Sequence, residues 1–178
     1  MTDLLNTTVR ATHRMSLIAT ALIAVAFGVA ASPNMAAAEQ SVATAPADGV
    51  IRTQSAYPFK ETVDRLKSDI AAKGIRFFTG IDQAKLAADA DIHLGPSTLL
   101  LFGNPPLGVQ FLASNPYAGL DWPVRMLVLQ DQDGKVWVAY SDFSYLARRY
   151  DIANRDAAFA KASEVAASIA ASVATANP

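Results

Sequence analysis

The sequence predicts an α+β fold, a two-layer sandwich in which helices pack against a mixed β-sheet. Between residues 50 and 152, short β-branched and aromatic runs alternate with segments whose apolar residues recur at helical spacing. Asp131–Gly134 is a turn sequence between two apolar runs, which predicts an antiparallel hairpin. Helical crossovers between the earlier strands predict some parallel pairing. The predicted order is β-α-β-α-β-α-β-β-α, followed by an alanine-rich C-terminal helix.

The first part of the domain is predicted to be a strand, a helix and a second strand. Val50–Ser55 forms the first strand, and Pro58 lies near the start of the helix, where a missing backbone N–H costs little. The apolar stripe of this helix consists of Phe59, Val63, Leu66 and Ile70. Gly74 ends the helix, because glycine tolerates the left-handed conformation that is common there. Ile75–Ile81 is the second strand.

The middle of the domain combines a short helix with a strongly apolar strand. Asp82 is expected to cap the helix. The continuous apolar run that ends at Phe102 favours a central strand covered on both faces. Gly103 then permits a turn, and Asn104 is expected to cap the next helix, whose first turn contains two prolines.

The last part contains the hairpin and two helices. Pro123–Gln130 and Lys135–Ser141 are its strands, and the residues Val136, Val138 and Tyr140 share one face of the second strand. Asp142 is expected to cap a short helix. Residues 154–174 form an amphipathic helix whose stripe is mostly alanine. This helix is expected to pack on the domain, pair with another subunit or fray.

Residues 1–38 have the pattern of a cleavable Sec-type signal peptide. Arg10 and Arg14 precede the uncharged apolar run Met15–Ala31, and an A-x-A sequence ends at Ala38. We therefore expect cleavage between Ala38 and Glu39, and a location in the bacterial periplasm or outside the cell. The alternative is an uncleaved membrane anchor, since the run is of borderline spanning length.

The remaining boundaries follow from composition. Residues 39–49 are small, polar and interrupted by proline, which predicts a disordered linker. Residues 50–152 form the α+β domain, and residues 153–178 form the C-terminal helix and tail.

Composition excludes several kinds of chemistry. The chain has no cysteine, so thiolate metal sites, disulfides and cysteine nucleophiles are excluded. Its 15 basic and 16 acidic residues are nearly balanced, which argues against nucleic-acid binding and against a basic patch for acidic lipids. We expect membrane contact only in transit, through the signal peptide. Beyond the signal peptide the one histidine is His93, so we expect neither a metal site nor a cofactor.

Three polar residues are candidates for a small pocket. Asn104 follows the apolar strand, Asp121 lies in a loop beside Trp122, and Tyr140 lies near the end of a strand. If these side chains converge at one edge of the sheet, they line a polar site. The alternative is that Asp121 caps a turn and Tyr140 packs in the core.

Three short sequences, taken in order, carry a family resemblance. They are Phe102–Pro105, Leu120–Pro123 and Asp133–Val138, and they follow the segment from Glu61 to Gly74, which is part of the same pattern. Together they resemble the Domain of Unknown Function 302 family over roughly residues 53–152. The resemblance implies a compact two-layer α/β domain that often forms a dimer, and it implies no established catalytic residue. Many members have a histidine where this chain has Gln83, so no histidine-dependent role is expected at that position.

We therefore predict an exported, non-catalytic domain that binds a small ligand or a partner protein. A first alternative is an acid–base enzyme that uses Asp121 and Tyr140. A second is a structural module that forms a homodimer through a sheet edge or through the alanine-rich helix. The sequence does not identify the ligand or the partner.

Overall fold

The computed structural model describes residues 46–174, in which helices and strands follow the predicted order. The strands are β1 (Val50–Gln54), β2 (Arg76–Asp82), β3 (Ser97–Gly103), β4 (Val124–Gln130) and β5 (Val136–Ser141). The helices are α1 (Phe59–Ala72), α2 (Gln83–Ala88), α3 (Pro105–Ser114), α4 (Phe143–Arg149) and α5 (Asp156–Ala171). A 3₁₀ helix, Pro116–Leu120, lies between α3 and β4. The predicted α+β class is confirmed.

The sheet is antiparallel throughout, in the order β1-β5-β4-β3-β2. The expected mixed sheet with parallel pairs is therefore wrong. The reason is that α1 joins β1 to β2, which run in the same direction but lie at opposite edges of the sheet. The other two crossovers, through α2 and α3, each return the chain to an antiparallel neighbour.

The core lies between one face of the sheet and the helices. Strand alternation directs Leu100, Met126 and Val138 to this face, and all three are fully buried. From α1, Leu66 and Ile70 pack into the same cluster, which confirms the predicted stripe. On the opposite face of β3, Leu99 and Leu101 are only half-buried, so the expected coverage of both faces of this strand is wrong. Helices α1 and α5 pack on the opposite face of the sheet, the face that carries Leu100.

The alanine-rich helix packs on its own domain. Ala166, Ile169 and Val173 are almost completely buried, and the chain after α5 bonds to the end of β1, where Ala56 N donates to Val173 O at 2.9 Å. Because the apolar stripe of α5 is used within the domain, dimerisation through that stripe has no support. Dimerisation through a sheet edge stays a prediction.

The signal peptide, the cleavage position Ala38–Glu39 and residues 39–45 of the linker lie outside the described residues. Residues 46–49 form a turn in which Gly49 N donates to Pro46 O, so the predicted disorder does not extend to them. Across residues 46–174, no helix is both long and apolar enough to cross a membrane.

Candidate functional site

The site is built where β3 ends and α3 begins. β3 ends at Gly103, Asn104 is the residue before the helix, and Pro105 occupies the first helical position. The side chain of Asn104 makes no capping hydrogen bond, so the expected cap is wrong. A capping side chain accepts from the second or third helical N–H; Pro106 has none, and Leu107 N donates to Asn104 O at 3.1 Å instead.

Two glycines at this turn make room for an indole ring. A Cβ at Gly103 would lie 3.4 Å from the ring of Trp122, and a Cβ at Gly108 would overlap the ring outright. The indole therefore lies directly against the backbone of α3. Sequence reasoning missed this contact, and the available signal was a glycine inside an otherwise helical segment.

Trp122 is held from two further sides. It follows the 3₁₀ helix and Asp121, and the Trp122–Pro123 peptide bond is cis. From the edge strand β2, Phe78 meets it edge-on with ring centroids 6.1 Å apart. The pairing of β2 with β3 shifts register between Phe77 and Thr79, which leaves Phe78 out of the ladder.

A cavity of about 380 Å³ opens beside this indole, between α3, α5 and the ends of β3 and β4. Its size falls within the range of small-ligand pockets, roughly 300–1,000 Å³. Most of the lining is apolar or aromatic: Ile75, Phe102, Leu107, Phe111, Trp122, Val124, Phe143, Ala162, Val165 and Ala166.

Several polar groups face the same cavity. Within residues 46–174, neither the amide of Asn104, an exposed residue, nor the indole N–H of Trp122 bonds to another group of the protein, and neither is a buried polar group left without a partner. Lys73 and Lys161 also line the cavity, and each contacts a carboxylate on its own segment. Lys73 Nζ lies 2.7 Å from Asp69, and Lys161 Nζ lies 3.0 Å from Glu164.

Asp121 has a different environment. Its side chain is 6% exposed, and it accepts hydrogen bonds from Tyr150 Oη and from the guanidinium of Arg125. Arg149 Nη1 lies 3.3 Å from the same carboxylate. Asn115 Nδ2 donates to Tyr150 O at 2.8 Å. Asp121 thus joins the loop before β4 to the end of α4.

The three predicted pocket residues do not converge. Asn104 lines the large cavity, and Asp121 lines a separate void of about 20 Å³, room for about one water. Tyr140 lines neither cavity; it is a buried core residue on the helix-covered face of the sheet, in register with Ile51 and Met126. Asp121 and Tyr140 therefore line no common cavity, and Tyr140 packs in the core, as in the alternative prediction for it.

Tyr140 belongs to the core. Burial, and secondarily the charge of Asp142, raises the pKa of the Tyr140 phenol above its usual value of 10.0. The phenol that meets Asp121 is instead Tyr150, at the C-terminal end of α4. Sequence reasoning missed Tyr150 because it is 29 residues away along the chain and no local motif links the two.

The described part of the chain, residues 46–174, holds no group of three or more His, Cys, Asp or Glu side chains placed to bind a metal ion.

Comparison with protein families gives a match over most of the chain. The family model described as "Domain of unknown function DUF302" matches residues 51–176. A crystal structure of an uncharacterized conserved DUF302 protein from Bacillus stearothermophilus superposes with a TM-score of 0.65 at 15% identity. It covers 70% of this chain and 98% of the other. At that identity the likeness shows the fold alone.

Curated relatives match over a shorter segment. The "Fluoride-specific ion channel FluC 1" of Brucella suis biovar 1 is 33% identical over 104 residues, which is 58% of this chain and 41% of that protein. The protein of the same name from Brucella abortus biovar 1 is also 33% identical, with 38% of its length covered. The chain thus spans about two fifths of the length of these relatives.

Replacing Gly108 tests the packing of the indole. Gly108→Ala places a methyl group where the Trp122 ring lies, so the ring must move, at a cost of about 1–3 kcal/mol in the free energy of unfolding. Urea unfolding and Trp fluorescence measure both effects. Gly119→Ala is the control, because its new Cβ meets its nearest neighbours at 4.0 Å. Equal stability of the two variants would contradict this packing.

Replacing Asp121 tests whether its role is structural. Asp121→Asn removes the charge that Arg125 and Arg149 contact, and should lower the free energy of unfolding by about 1–3 kcal/mol. Urea unfolding measures the loss. Asp133→Asn, in the exposed hairpin turn, is the control and should change stability by less than about 0.5 kcal/mol. If Asp121→Asn is as stable as the control, the network does not hold the loop.

Proposed function

The chain belongs to the DUF302 family, and from its cavity we propose that it is a non-catalytic domain that binds a small amphipathic molecule. The molecule would occupy the space of about 380 Å³ between α3 and α5. The observation that carries this proposal is the pairing of an apolar cavity with polar groups that have no partner of their own.

Asn104 and Trp122 support ligand binding because both residues line the cavity. A ligand atom next to the Asn104 amide or the indole N–H of Trp122 would gain a hydrogen bond that the protein does not already make. The apolar lining contributes through burial, at about 25 cal/mol per Å² of apolar surface. An apolar wall with a few polar groups that fix orientation is the common form of small-molecule sites.

Acid–base catalysis has less support than binding. The Asp121 carboxylate already has two guanidinium partners and a phenol donor, in a void too small for a substrate. The predicted second group, Tyr140, lies in the core with a raised pKa, which favours its neutral form. Neither group faces the large cavity.

The proposal does not extend to ion conduction. The relatives named as fluoride-specific ion channels share a segment of 104 residues with this chain, and most of their length lies outside it. What the shared segment supports is a common domain.

Export is a further part of the proposal. It is supported by the basic residues, the apolar run and the A-x-A sequence within residues 1–38. The binding site would then act in the periplasm or outside the cell, where a chain without cysteine has no thiol to be oxidised.

Octanol, an uncharged amphipathic probe, tests the cavity. We expect a rise in Tm of about 5 °C at roughly ten times Kd, which grows with the logarithm of the octanol concentration, because a ligand that binds only the folded state stabilises it. Val165→Phe places a larger side chain in the lining and should abolish the shift. Val109→Phe is the matched control, because Val109 is exposed on α3 and outside the lining. Absence of any shift in the wild type, or equal shifts in both variants, would contradict the proposal.

Cleavage is tested at the A-x-A sequence. When the full chain is produced in a Gram-negative host, the periplasmic protein should have the intact mass of a chain that begins at Glu39. Ala38→Leu should block cleavage, because the residue before the cut must be small, whereas Ala37→Leu should be tolerated between the two small positions. Recovery of the uncleaved chain from the wild type, or equal processing of both variants, would contradict cleavage between Ala38 and Glu39.

A further inference from the structure

The cavity has more hydrogen-bond donors than acceptors. Resting on the proposed binding function, we infer that its ligand is an amphipathic carboxylate, an acid whose charged end meets this donor surplus and whose apolar body fills the rest.

The donor surplus follows from the lining side chains. Trp122 contributes an indole N–H, which can only donate, and Lys73 and Lys161 contribute ammonium groups, which also only donate. Asn104 and Ser168 can donate or accept. Glu164 is the one carboxylate of the lining, and both of its oxygens already accept from Lys161.

The charges of the lining have the same preference. Two lysines line the cavity against one carboxylate, and Asp69, the partner of Lys73, lies outside the lining. Each ammonium has three N–H donors, so one carboxylate partner leaves further donors available. Each lysine is already paired, Lys73 with Asp69 and Lys161 with Glu164, so what the lining offers a ligand is the N–H donors that remain. A cationic ligand brings no acceptor to these donors, whereas an anion with oxygen acceptors does.

The carboxylate is favoured over a larger anion because of the apolar lining. Phe102, Leu107 and Phe111 face the same space as the donors, so a ligand that fills the cavity needs an apolar part as well as a charged end. Inorganic phosphate has no such part.

Three probes of equal chain length separate charge from shape: octanoate, octanamide and octylamine. Calorimetric titration of the purified protein should give octanoate a Kd at least about tenfold lower than octanamide, because a hydrogen bond to a charged acceptor is stronger than one to a neutral amide. Octylamine should bind most weakly. Equal affinities of octanoate and octanamide would overturn the carboxylate while leaving the cavity proposal intact. If none of these probes and no octanol binds, the binding function itself fails.

Matched variants locate the donors. Trp122→Phe keeps an aromatic ring and removes the N–H, so octanoate affinity should fall about tenfold, more than octanamide affinity. Trp137→Phe is the control, because that indole donates to Asp131 on the opposite face of the sheet. Lys73→Gln should weaken octanoate selectively. Lys60→Gln is its control, since Lys60 also pairs with a carboxylate four residues away but lies outside the cavity.

The octanamide affinity also serves as the check on folding. If Trp122→Phe loses octanoate and octanamide equally, its effect is on cavity shape, and the indole donor is overturned. If Trp122→Phe does not fold, the carboxylate preference is tested by the octanoate affinity of Lys73→Gln and by the affinities of the wild type for the three probes. Unchanged octanoate affinity in Lys73→Gln together with no wild-type preference for octanoate would overturn the inference.

Discussion

The contact between the Trp122 indole and the backbone of α3 is the constraint on which the site depends. It requires glycine at position 108, because any side chain there would overlap the ring. It also fixes where the loop before β4 can run, since Trp122 directly precedes Pro123 and the strand. One wall of the cavity is a consequence of this single packing arrangement, in which the nitrogen edge of the indole lies against Gly108.

The contacts of Asp121 also hold the Trp122 indole against α3. Its carboxylate lies one residue before Trp122 and binds groups from β4 and α4, namely Arg125, Arg149 and Tyr150. A buried carboxylate is costly unless paired, and here it has two cations and a phenol donor. The residue that suggested acid–base chemistry in the sequence is therefore better explained as the anchor that keeps the neighbouring indole in place.

Local patterns predicted the elements well, and failed where distant parts of the chain meet. The stripe of α1 and the alternation of β5 were readable because a helix and a strand each impose a short period on buried residues. The order of strands in the sheet could not be predicted in this way. The helical spacing of α1 does not reveal that β1 and β2, the strands it connects, lie at opposite edges. The position of Asn104 in the lining of the large cavity follows from its place directly after a strand end, which is visible in the sequence. The Asp121–Tyr150 contact was missed because no period or motif connects a loop to a helix end so far along the chain.

The alanines of α5 leave space for the cavity, which could not be predicted from the sequence. As a stripe they looked too small to hold a helix in place, yet Ala162 and Ala166 are buried in the core while also lining the cavity. Alanine lets the helix backbone approach the sheet, and its short side chain leaves unfilled the space in front of Phe102 and Phe111. Larger residues at these two positions would bury more apolar surface and close the cavity. A chain selected only for packing would be expected to fill that space, so the small stripe is consistent with a domain whose core stays open on one side for a ligand.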